Sequence, residues 1–149
     1  MTSEWVKTTI RGSVAVAERA DVGVLDTCTY IDLALIDPVR LPVIPEITAI
    51  TLAELHQGVA MAKDAESRAA RMEKLGAAVT DFEPLPFDSD AAARYGTLVA
   101  LTIAAGRDPR PRKLDLMIAA VASTRGLPLF TRNGADFKGL HSSLTVVTV

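Results

Sequence analysis

Four short apolar runs, separated by stretches with helical spacing, set the rhythm of this chain. Residues 22–25 (VGVL) stop at Asp26, and residues 47–50 (ITAI) lead into Thr51. Residues 127–130 (LPLF) and 144–149 (LTVVTV) complete the set. Runs that are apolar at successive rather than alternate positions suit strands buried on both faces. Between them, Leu52, Leu55 and Val59 recur at helical spacing after Thr51, and this helix is expected to run, with a break, toward Leu75 and Gly76. Asp88 or Asp90 can cap a second helix over 91–105, stopped by Gly106. A third is predicted over 113–125, with Gly126 as its stop. Two prolines in TDFEPLPF (80–87) allow at most an edge strand there. Strands alternating with helices imply an α/β fold, a mostly parallel sheet with covering helices.

The length of 149 residues suits one domain. Residues 21–149 carry the whole pattern, while 1–20 read as an N-terminal extension of uncertain order, although Trp5 and the apolar stretch 14–17 offer it something to pack. With 49% hydrophobic but 5% aromatic residues, the core must be aliphatic and alanine-rich. A net charge of −2 does not indicate the basic surface expected of a nucleic-acid binder. It does not exclude one either, because a metal-loaded acidic site attracts phosphate locally. The lone Cys28 cannot form an internal disulfide and is read as a small buried hydrophobe. No apolar run approaches a membrane span and the start lacks a signal-peptide pattern, so a cytoplasmic protein is expected.

Position separates four acids from the other fourteen. In open α/β sheets, ligands bind beyond the carboxyl ends of the strands. Asp26 directly follows the first strand, Glu54 is expected in the first helical turn after the second, and Asp136 lies beyond the third in TRNGAD. Asp115 stands in the first turn of the helix that feeds that third strand. Each has an ordinary explanation as well. Asp26 could simply end a strand, and Glu54 could close a capping box with Thr51. Asp115 could serve the helix dipole, and Asp136 could be a loop acid. Yet Ile118, Ala119 and Ala122 share the face of Asp115, and an acid on an apolar stripe needs a partner. Clustered carboxylates without histidine or cysteine make a hard oxygen site, suited to Mg²⁺ or Mn²⁺ rather than Zn²⁺. Such a site can hold a phosphodiester and support its in-line hydrolysis without a protein nucleophile.

The segments GVLDTCTYIDL, ITLAELHQGV and RKLDLMIAAVASTRGLPLFTRNGADF, with the terminal strand, resemble in content and order the VapC-type PIN-domain toxins. That resemblance covers about residues 21–149. It implies a PIN-like three-layer α/β/α fold and a ribonuclease toxin inhibited by a small VapB-like antitoxin, with homodimers and higher toxin–antitoxin assemblies. By position, Asp26 and Asp115 would be the central metal ligands, with Glu54 third and Asp136 fourth. Thr131 and Asn133 match the polar loop that supports the acids by hydrogen bonds, Asn133 standing where some relatives have another acid. For RNA contact, Arg112, Lys113 and Arg132 lie near the acids, together with Arg107 and Arg110. They could neutralise phosphates or be solvated loop charges. Tyr30 and Phe137, the aromatics nearest the proposed site, read as core, and His56 and His141 as surface residues.

Two other classes compete. A haloacid-dehalogenase-like phosphatase also places Asp after its first strand, but needs an acid two residues on, where Cys28 stands. A catalytically inactive PIN-like module binding RNA or protein would use the acids structurally.

Overall fold

The structure is a computed structural model, describing residues 9–10, 14–15 and 20–149. In the first of these pieces, strands β1 (Thr9–Ile10) and β2 (Val14–Ala15) pair antiparallel. The rest of the expected extension over 1–20, apart from Ala20, lies outside the described residues.

The body is a four-stranded sheet, ordered β4-β3-β5-β6 and parallel throughout. Its strands are β3 (Val22–Leu25), β4 (Ile44–Glu46), β5 (Leu129–Thr131) and β6 (Val146–Thr148). Five helices surround it: α1 (Thr27–Ile31), α2 (Ala49–Ala60), α3 (Ala65–Asp81), α4 (Ser89–Ala104) and α5 (Lys113–Thr124). Alternate strand residues feed two cores. Val24 and Leu129 pack with Leu98, Leu116 and Ile118 of α4 and α5, whereas Leu25 and Phe130 pack with Tyr30, Leu55 and Ala78 of α1, α2 and α3. The fold is therefore a three-layer α/β/α sandwich, as the family resemblance implies, with the covered parallel sheet that the alternation of segments predicts. Among the described residues no helix is long and apolar enough to cross a membrane.

The element boundaries correct the sequence reading in physical detail. The second strand lies at Ile44–Glu46, not at 47–50. Pro45 is tolerated because β4 is an edge strand, paired only with β3. Residue 48 has already turned to cap α2, its Oγ1 accepting from the Thr51 amide at 3.3 Å. Thr48 therefore takes the capping role expected of Thr51, and α2 begins earlier. The break toward Gly76 is real: α2 stops at Ala60, Asp64 caps α3, and α3 continues past Gly76 to Asp81. Asp88, not Asp90, caps α4. The third strand starts at Leu129 because Leu127 is still closing α5, its amide donating to the Ala122 carbonyl at 3.0 Å around Gly126 (φ +66°). The expected edge segment contributes a single parallel bridge, Thr48 to Leu85.

Behind the third strand, the loop that carries Asp136 is pinned to the helical layer. The Arg107 guanidinium donates to the Ala135 carbonyl, and Gly139 (φ +91°) lies against Ala105 at the end of α4. A side chain at 139 meets both an unfavourable φ and the Ala105 methyl. Gly139→Ala is expected to cost about 1–3 kcal/mol, lowering the melting temperature by several degrees. A melt indistinguishable from wild type would show that this loop is not held against α4.

Candidate metal centre

The chain runs from β3 outward to β4 on one side, then returns to β5 on the other. The carboxyl ends of β3 and β5 thus flank the point where the topology switches direction, the usual ligand crevice of an open parallel sheet. Asp26 leaves β3 there, its amide donating to the Phe130 carbonyl at 3.2 Å. Its side chain is 5% exposed and caps α1, Oδ1 accepting from the Thr29 amide at 3.0 Å. Its ordinary explanation, ending a strand, therefore holds, and the side chain also caps α1. Oδ2 is left for another partner.

Glu54 sits in the second turn of α2, one turn beyond its expected place, and does not close a capping box. Thr27 Oγ1 donates to Glu54 Oε1 at 2.6 Å and lies 3.0 Å from Thr51 Oγ1. Because the single Thr27 proton goes to the carboxylate, Thr51 must donate to Thr27, giving a relay from Thr51 through Thr27 to Glu54. Thr27 was not singled out in the sequence. Its only signal was adjacency to Asp26 in LDTCT.

Asp115 occupies the first turn of α5 and is half-buried. Burial raises its pKa to about 6, helped by the charges of Asp26, Glu54 and Asp136 and opposed by Arg112. The other three predicted acids therefore all act on this one carboxyl group. Glu54 and Asp115 line a shared cleft of about 410 Å³, rimmed by Arg110, Pro111, Lys113 and Leu114. Among the described residues no three acids already form a closed cage for a metal ion. Two of the acids share the cleft and the other two stand within Coulombic reach of Asp115, spread apart as mutual repulsion favours.

Asp136 projects from a 3-10 turn, Gly134–Phe137, directly after β5. Arg112 Nη2 lies 3.9 Å from its Oδ1. Thr131 is fully buried and its Oγ1 accepts from the Asn133 amide at 3.0 Å, so it shapes the loop rather than an acid directly. The Asn133 side chain is on the exposed outer side of that turn. Arg132 pairs with Asp32 at 3.2 Å, while Lys113 is exposed at the cleft rim. Cys28 corrects the reading of a buried hydrophobe: it is exposed, because α1 turns it toward the acids rather than the core. Desolvation raises its pKa, followed by the charges of Asp26, Asp115, Asp32 and Glu54, which makes it a poor nucleophile. Tyr30 and Phe137 are core residues, as expected, and His56 and His141 are exposed.

The PIN-domain family model matches residues 43–140, well over half of the chain. The chain belongs to the PIN-domain family. It is 39% identical over 127 residues to Ribonuclease VapC5 of Mycobacterium tuberculosis, covering 83% of this chain and 91% of that protein. The VapBC-5 crystal structure from the same organism superposes with a TM-score of 0.73 at 36% identity, covering 87% of this chain and 99% of the other. VapBC2 of Rickettsia felis, solved with a DNA fragment from its promoter, shares the fold at TM-score 0.68 and 24% identity, covering 86% and 98%. The matched PIN span contains Glu54, Asp115 and Asp136. Asp26 lies before it, and its place beside them rests on the pairing of β3 with β5.

In this PIN domain the raised Asp115 pKa has a definite consequence for stability. Between the ordinary carboxyl pKa and about 6 the folded chain binds more protons than the unfolded one, so stability falls as pH rises through that window. In EDTA, Asp115→Asn should therefore melt higher than wild type at pH 7.5, by on the order of 1 kcal/mol after solvent screening, and match it near pH 4. Equal melting at both pH values would contradict the crowding of charge around Asp115.

Proposed function

We propose that this PIN domain is a metal-dependent ribonuclease, the toxin of a VapBC-type pair, which hydrolyses RNA phosphodiesters in the cytoplasm. What carries the reading is a half-buried Asp115, its pKa raised by burial and then by three other acids, in a chain 39% identical to a protein named as a ribonuclease. The donor set fits Mg²⁺ or Mn²⁺: it is made of carboxylate oxygens, and Asp115, half-buried beside the other acids, resists ionisation. Asp26 and Asp115 would be the central ligands, with Glu54 and Asp136 completing the set. Bound there, the ion supplies Lewis acidity toward the phosphoryl oxygen and a charge sink for the in-line displacement. The protein's own part is positioning. Asp26 is fixed by its cap on α1, and Glu54 is oriented by the Thr51–Thr27 relay. Lys113 at the cleft rim can meet a flanking phosphate. Arg110 must first leave Asp108, and Arg132 must leave Asp32, to do so.

A VapB-like antitoxin is the partner this reading calls for, since the superposing structure is described as a VapBC toxin–antitoxin system. A homodimer within a larger toxin–antitoxin assembly follows from the same likeness.

Purified chain incubated with single-stranded RNA should cleave it with Mg²⁺ or Mn²⁺ and stop when EDTA is added. Asp26→Asn and Asp115→Asn should each lower the rate by at least about 100-fold while remaining folded by circular dichroism. Cleavage that persists in excess EDTA, or full activity in both variants, would overturn the assignment.

A further inference from the structure

Three cations stand at the N-terminal end of α5: Arg110, Arg112 and Lys113. The helix dipole disfavours positive charge there. Two of them face outward. The Arg110 side chain is 87% exposed and bound to Asp108 through both Nε and Nη2 at 3.0 Å, and Lys113 is exposed. Arg112 turns inward, with its side chain only 22% exposed. Nη2 reaches Asp136 at 3.9 Å, within ion-pair range but too long for a hydrogen bond. Nη1 donates to the Asp108 carbonyl at 3.2 Å, and Nε is buried without a hydrogen-bond partner among the described residues.

A role in merely holding the loop does not account for this. The loop is already fastened by the Asp108–Arg110 pair and stiffened by Pro109 and Pro111. A guanidinium that leaves one buried donor unpaired and meets a carboxylate only at a distance is poorly placed as a brace. It is well placed as a fixed positive charge among acids that repel one another.

We propose that Arg112 is the resident counter-cation of the carboxylate cluster, a positioning residue that offsets the charge of Asp136 and competes with the divalent ion for it. The inference rests on the metal-dependent reading above. Metal loading then requires the guanidinium to give up Asp136, so Arg112 lowers metal affinity while steadying the metal-free fold. Lysine at 112 keeps the charge; glutamine removes it.

The test is Mn²⁺ binding by the full chain, followed by calorimetry or by the loss of the free-ion electron paramagnetic resonance signal. Arg112→Gln should bind Mn²⁺ roughly tenfold more tightly than wild type and melt lower in EDTA, with Arg112→Lys close to wild type in both. If Arg112→Gln does not fold without metal, the wild type serves alone: titration with Mg²⁺ should shift the Arg112 Nε–H resonance as the site fills. Unchanged or weaker Mn²⁺ binding in folded Arg112→Gln, or an Nε–H signal indifferent to Mg²⁺, would overturn the inference and confine Arg112 to phosphate contact. Failure of the wild-type chain to bind Mn²⁺ at all would overturn the metal-dependent reading and this inference with it.

Discussion

Like charges brought together at the edge of a parallel sheet repel, and in this chain four separate segments deliver a carboxylate to that edge. Asp26 arrives from β3, Glu54 from α2, Asp115 from α5 and Asp136 from the turn after β5. None can move far without disturbing the element that carries it. Asp26 caps α1, and Asp115 lies at the head of a helix whose next turn buries Leu116, Ile118 and Ala119. The repulsion is thus built into the topology, and much of the local structure serves to contain it.

Containment takes three forms. Backbone and hydroxyl donors stabilise individual carboxylates, the Thr29 amide for Asp26 and the Thr27 hydroxyl for Glu54. Proton uptake by Asp115, whose pKa burial and then the neighbouring charges raise to about 6, relieves part of the repulsion. Arg112 supplies the remaining positive charge from within the chain. All three are partial remedies. A divalent cation is a stronger one, and carboxylate oxygens are its natural ligands. The same features that make the site costly to fold therefore make it suited to a hard metal and, through it, to a phosphodiester.

Much of this was legible in the sequence because it depends on local pattern. An apolar run ending in an acid marked β3, alternation of strand and helix gave a parallel sheet with covering helices, and the family resemblance implied the three layers. The four acids stood out by position after a strand or at a helix head; Glu54 and Asp115 share a cleft, and Asp26 and Asp136 lie near enough to act on Asp115 by charge. What could not be read depended on contacts between distant segments. Whether residues 47–50 continue a strand or begin a helix is decided by the Thr48 cap, and periodicity alone cannot separate a short buried strand from a helix start. The capping-box spacing of Thr51 and Glu54 was a false signal, because the true cap lies three residues earlier. Thr27 gained its role from a residue 27 positions away, and Arg112 from one 24 away, at separations where sequence spacing says nothing about direction. Cys28 was misplaced because α1 is only five residues long, too short to reveal which side faces out.

The most direct test of the account is a crystal of the chain soaked in Mn²⁺ and measured for anomalous scattering. The account predicts a peak in the cleft with oxygens of Asp26 and Asp115 at roughly 2.0–2.2 Å, and Glu54 and Asp136 turned toward it. A saturating soak that leaves the cleft without a peak, or that places Mn²⁺ on other residues, would contradict it.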